Sequence, residues 1–140
     1  MRLRPDHRDD SHWKLTMQTT FANCRGIAHK GSNGMSPIFP DVCKTPTPAP
    51  VPIPYPNIGK SSDTISGPTS VTTDGQMPMT RDAKYMMSTG DEAGVLLGVL
   101  SNKVKGVCEF MLYSFDVQFE GKGVCRLGDP LFHNNKNGMG

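Results

Sequence analysis

The sharpest pattern along the chain is an alternation near its end. Tyr113, Phe115, Val117 and Phe119 are apolar, and Ser114, Asp116, Gln118 and Glu120 beside them are polar. A period of two places one set on each face of a strand, so residues 113–119 predict a strand with one buried side. Glu120-Gly121-Lys122-Gly123 follows as a turn, and Val124-Cys125-Arg126-Leu127 as the return strand of a hairpin ended by Gly128-Asp129-Pro130. From His133 onward the chain is polar and is expected to fray. A second alternation runs from Pro46 to Pro56, where every second residue is proline. That excludes a helix, and it excludes a central strand because alternate N–H donors are missing. The segment is predicted to be extended and close to polyproline II. Val51, Ile53 and Tyr55 form an apolar row between the prolines, which argues for packing along a domain surface rather than a free linker.

Elsewhere the pattern is weaker. Thr19-Thr20-Phe21 is β-prone and is followed by the loop Gly31-Ser32-Asn33-Gly34. Residues 57–80 are rich in Ser, Thr, Gly and Asp; they predict short strands around Ile65 and Val71 and a turn at Thr72-Thr73-Asp74-Gly75. Residues 88–103 are the best helix candidate, with Ser88, Thr89 or Asp91 as its cap. Gly94 and Gly98 weaken it, and a Gly-rich loop with one or two turns is the alternative. The longest apolar stretch, Val95 to Leu100, is far too short to span a bilayer. Residues 1–16 show neither period and read as a disordered extension, with the domain occupying residues 17–140.

Composition sharpens the fold class. The chain has 140 residues, 36% of them hydrophobic, with 15 Gly and 12 Pro. One domain of short strands and many turns is expected, mainly β, with at most one or two short helices. Net charge is +2 and the Lys and Arg residues are scattered among acidic ones, which argues against nucleic-acid binding. Met1 to Lys14 contain no apolar export core, so a cytoplasmic chain is expected. Cys24, Cys43, Cys108 and Cys125 leave three readings open: simple thiols, two disulfides, or a metal site.

No Gly-x-Ser-x-Gly elbow, phosphate loop or His-Glu-x-x-His is present. Cys43 with His29 or His133 is the thiol–imidazole pairing available for nucleophilic chemistry. Asp41, Asp91, Glu92 and Asp129 have no spacing that pairs them, and turn or cap roles explain them. The chain is therefore expected to be non-enzymatic. Metal binding fits better, because thiolates and imidazoles are good zinc ligands and a thin core benefits from a staple. The candidates are His29, Cys43, Cys108, Cys125 and His133.

Several stretches, taken in order, resemble the PAAR-like branch of type VI secretion spike-tip proteins. They are Ile27-Ala28-His29-Lys30-Gly31-Ser32, then Phe39-Pro40-Asp41-Val42-Cys43-Lys44-Thr45-Pro46, then Pro52-Ile53-Pro54-Tyr55-Pro56-Asn57. Ser88-Thr89-Gly90-Asp91-Glu92-Ala93-Gly94 follows, then Tyr113-Ser114-Phe115-Asp116-Val117 with Glu120-Gly121-Lys122, and finally Arg126-Leu127-Gly128-Asp129 before His133-Asn134. The resemblance spans about residues 18–137. It implies a small β-rich cone seated on the blunt end of a trimeric VgrG-type spike, one chain per trimer. It also implies delivery of a toxin, held as an appended domain or as a separate effector or its chaperone. Such a protein waits in the bacterial cytoplasm and is then secreted, without stable membrane insertion. The family's metal, usually zinc, lies near the apex on histidines and a cysteine. By motif position the ligands implied here are His29, Cys43 and His133. The usual set has three histidines, and His7 and His12 lie outside the resemblance, so Cys125 is taken as the fourth ligand ahead of Cys108. The alternative is an adaptor or effector-binding module that offers its Pro-rich segment as a peptide ligand.

Overall fold

The computed structural model describes residues 18–140. The reading of residues 1–16 as a disordered extension lies outside the described residues.

The two longest strands come from the region the prolines dominate. β3 (Met35–Thr45) and β4 (Val51–Lys60) pair antiparallel, with a register shift between Ile38 and Asp41. Val42 lies opposite Pro54 and Lys44 opposite Pro52, whereas Cys43 faces Ile53 and Thr45 faces Val51. In an antiparallel ladder the N–H and C=O of one residue point to the same side. Val42 and Lys44 use theirs on a strap on the far side of β3. Lys44 N–H donates to Leu97 O at 2.9 Å, Leu96 N–H to Lys44 O at 3.1 Å, and Val99 N–H to Val42 O at 2.9 Å. Their partners Pro54 and Pro52 therefore turn their backbone away from β3, where a missing N–H costs no ladder bond. The Pro-rich run is thus a paired strand, where polyproline II was expected, and its prolines sit on an outer edge.

The remaining strands are short. β1 (Phe21–Ala22) and β2 (Arg25–Gly26) form a hairpin. A turn of 3-10 helix, Ser61–Asp63, follows β4. β5 (Thr64–Ile65), β6 (Lys84–Tyr85), β8 (Cys108–Phe110), β11 (Leu131–His133) and β12 (Gly138–Met139) make a five-stranded sheet in the order β12-β11-β8-β6-β5. β7 (Ser88–Thr89) pairs with Ile58 and Gly59 at the end of β4. β9 (Gln118–Phe119) and β10 (Lys122–Gly123) form a hairpin around Glu120 and Gly121, both at positive φ, so the return strand lies within the predicted turn. The expected return strand Val124–Leu127 makes isolated bridges instead, Val124 to Thr80 and Arg126 to Ile27. The fold is mainly β, as the Gly, Pro and alternation signals implied.

Four local expectations are corrected. The alternating run 113–119 is strand only at Gln118–Phe119, and Phe115 is 80% exposed. Ser114 is the reason: its hydroxyl donates to Asp116 Oδ1 at 2.7 Å and accepts from Val117 N–H at 3.1 Å, a local turn that competes with the ladder. Residues 90–107 form turns and loop, the alternative reading for the helix candidate; Leu97, Asn102 and Lys105 all have positive φ. Around Val71 no strand forms; an isolated bridge pairs Thr73 with Gln76 instead. The tail from His133 does not fray: His133, Asn134 and Asn137 are buried, and β12 pairs with Phe132 and His133.

The apolar core is small. Ala28, Met79, Ala83, Tyr85, Cys108, Phe110, Cys125 and Leu131 form one cluster, and Ala22, Ile27 and Val124 another. Tyr85 meets Phe110 edge-on at 5.9 Å between centroids. Many fully buried side chains are polar instead, among them Asp41, Asn57, Ser88, Asp91, His133 and Asn134. Such groups stay buried at tolerable cost when each is hydrogen-bonded.

Candidate functional site

The buried polar residues converge beside β3. Asp41 and Cys43 are two residues apart on that strand and share a face. Asp91 follows β7, which the ladder with β4 carries to the same place. Cys43 Sγ lies 3.9 Å from Asp41 Oδ1 and 3.8 Å from Asp91 Oδ2. All three side chains are buried. Asparagine amides enclose them. Asn57 donates to Asp41 Oδ2 and to Ser88 Oγ, and Asn137 donates to Asp41 Oδ1 and to Val42 O. Asn134 donates to Asp91 Oδ2 and to Lys103 O, both at 2.8 Å, and accepts from Gly106 N–H at 2.9 Å. Lys105 N–H reaches both oxygens of Asp91.

Two carboxylates and a thiol thus share a buried pocket whose hydrogen bonds come from neutral amides. Burial, with Asp41 and Asp91 beside it, pushes the Cys43 thiol up to about 12. Burial also raises the Asp91 carboxyl above its ordinary value. Both shifts come first from burial, with the neighbouring carboxylates adding to it.

The sequence-predicted ligands are distributed over three places. Cys43 is in the acid pocket. His133 is fully buried nearby, but its Nε2 lies 2.9 Å from Ser36 Oγ and its Nδ1 3.5 Å from Cys108 Sγ. Burial lowers its pKa to about 4, so it is neutral. Cys125 belongs to the apolar core, its thiol raised to about 12 chiefly by burial. His29 is buried on the Pro78 bridge; its Nε2 stands 3.2 Å from Asp74 Oδ2, and among the described residues neither ring nitrogen has another partner. Among the described residues, Asp41, Cys43 and Asp91 are the group of three whose ligand atoms all lie within 4.8 Å of one another. All four cysteines are free thiols, and Cys24 is exposed.

Sequence reasoning missed Asp41 and Asp91, to which it gave turn and cap roles. The adjacency of Asp41 and Cys43 on an extended segment was the available signal; nothing local pointed to Asp91. The donor set fits a small divalent cation. Thiolate sulfur and carboxylate oxygen are both zinc ligands at about 2.0–2.3 Å, a geometry compatible with S···O separations of 3.8–3.9 Å. A cation held there would favour the ionised forms of the thiol and the carboxylates. Among the described residues no helix is long and apolar enough to cross a membrane.

A turn-rich β domain with an acid–thiol pocket under a Pro-edged hairpin is the class these observations define. The chain belongs to the toxin PAAR-like domain family, whose model matches residues 34–140. It is also similar to the DNase toxin Tse7 of Pseudomonas aeruginosa, 40% identical over 124 residues that cover 82% of this chain. The chain spans about a third of that relative's length, 32%. No solved structure matches it significantly. The relative corrects the expectation of a non-enzymatic protein: by its name it is a nuclease. Motif searching did not foresee this, because the resemblance rested on turns and prolines that build a fold and carry no reacting group.

Proposed function

We propose that the chain is a spike-tip module of a type VI secretion system that couples a DNase-class toxin to a VgrG-type trimer. The observation that carries this reading is membership of the toxin PAAR-like family together with 40% identity to a DNase toxin. The seating surface we assign is the strap against β3. Val95, Leu96, Val99 and Leu100 are 55%, 41%, 40% and 75% exposed there. Clustered apolar exposure of this kind marks a contact surface. The Pro-rich segment is a poorer contact, since from Val51 onward it is committed to the ladder with β3.

The test is binding of the purified chain to the VgrG-type spikes encoded beside it, by pull-down and light scattering. One chain per trimer is expected. Leu96→Asp with Leu100→Asp should weaken binding by about tenfold or more, with the circular dichroism unchanged. Failure to bind any such spike ends the reading. DNA cleavage by the assembled complex tests the toxin class.

A structural zinc ion belongs to the same reading. Asp41, Cys43 and Asp91 would hold it, and it would supply a charge that clips β3 to the segment after β7. Elemental analysis of untagged protein is expected to find one ion per chain, lost in a Cys43→Ser, Asp91→Asn variant. Metal retained there but lost in His29→Ala, His133→Ala would move the site to the histidines.

A further inference from the structure

The long hairpin β3–β4 has two outer edges, and the fold treats them differently. The strap at Leu96–Val99 hydrogen-bonds along the β3 edge. Along β4, β7 covers Ile58 and Gly59 and no more. Gly90 packs so closely on the Pro56 carbonyl that a Cβ there would stand 2.1 Å from its oxygen. Among the described residues, no other strand meets the edge from Val51 to Tyr55. Val51, Pro52 and Pro54 are exposed along it.

An exposed strand edge is a template for another strand. This one is incomplete. The register turns the backbone of Pro52 and Pro54 outward, so the edge presents their carbonyl oxygens and, at the same positions, no N–H. An incoming strand finds acceptors two residues apart and no donors. The pairing most accessible to identical chains is isologous, β4 against β4 about a two-fold axis. There, acceptors of one copy would face acceptors of the other.

We propose that Pro52 and Pro54 guard this edge against a second copy of the chain, leaving a long, partly apolar hairpin exposed without self-assembly. The inference stands independently of the functional reading above, because it rests on register and exposure alone. It also assigns a reason to the spacing of the prolines: one residue more or less would turn the missing donors inward, where they would break the ladder with β3.

The experiment restores the donors. Pro52→Val with Pro54→Val adds two outward N–H groups with side chains suited to a strand. Sedimentation equilibrium and size-exclusion light scattering would compare the native chain, Pro54→Val and the double variant over one concentration series. The native chain is expected to stay monomeric. The double variant should self-associate with a dissociation constant lower by about tenfold or more, and the single variant should fall between. A double variant that unfolds cooperatively, keeps the native circular dichroism and remains as monomeric as the native chain overturns the proposal. If the double variant does not fold, the single variant decides by the same criterion. A native chain that already dimerises through β4, seen by cross-linking at Val51→Cys, overturns it as well.

Discussion

His133 and Asn134 are neighbours in the chain and face opposite surroundings. His133 meets Cys108 and Ser36 at the margin of the apolar core, while Asn134 meets Asp91 and Cys43 in the acid pocket. Both regions contain buried thiols raised to about 12. The causes differ. Cys108 and Cys125 are raised mainly by burial, whereas Cys43 is raised by burial and then by two carboxylates. A similar thiol therefore has different prospects in each region. The core disfavours every charge. The pocket adds two neighbouring carboxylates to the same burial, and they raise its thiol further.

The largest expected effect is on the pocket's amide frame. Asn134→Ala removes three donated bonds, to Cys43, Asp91 and Lys103, and one accepted bond, and leaves Asp91 under-satisfied in a buried site. A loss of about 4 kcal/mol in denaturant unfolding is expected. A loss below about 1 kcal/mol would show that water replaces the amide.

Two glycines test the packing of the two regions. A Cβ on Gly94 would stand 2.2 Å from Cys43 Cβ, while one on Gly59 would stand 2.8 Å from Cys108 Sγ. Cys43 Cβ is tied directly to the backbone of β3 and cannot step aside. Gly94→Ala should therefore cost about 3 kcal/mol and Gly59→Ala about 1–2 kcal/mol. The reverse order, measured by the same unfolding assay, would mean that the pocket is the softer region.

Acid should act on the two regions with opposite sign in metal-free protein. His133 has its folded pKa lowered from 6.5 to about 4, so between those values the unfolded chain binds the extra proton. Its share of stability is fully present above pH 6.5 and is lost as pH falls toward 4, by up to about 3 kcal/mol. Asp91 has a raised folded pKa, so its protonation at low pH relieves the pocket and favours the folded state. His133→Phe should remove the downward slope between pH 6.5 and 4. A slope that persists in that variant would assign it to other groups.

The smallest effect is chemical. Cys24 alone among the four cysteines is exposed. A thiol reagent should modify one cysteine rapidly in the folded chain and the other three on unfolding. Asp41→Asn with Asp91→Asn should lower the pKa of Cys43 most, lower that of Cys108, which Asp41 also raises, by less, and leave Cys125 where it is, read from thiolate absorbance. Equal shifts in all three would mean that the variant had opened the whole fold.

The Glu120-Gly121 turn, the mainly β class and the extended form of the Pro-rich run are legible in the chain because backbone sterics and strand period act over a few residues. Cys43 could be named from its neighbours as a residue to watch. The alternation at residues 113–119 misled because the hydroxyl of Ser114 found partners in a local turn, and that choice depends on Asn23, which is distant in sequence and donates to Asp116 as well. The polar tail misled for a related reason: Asn134 and Asn137 look like solvated residues until buried carboxylates need their amides. Asp91 lies 48 residues from Cys43 and reaches it through the pairing of β7 with β4. Short-range pattern governs which way a strand faces. Which distant charges share its buried side follows from packing, where the cost of an unpaired polar group selects the partners.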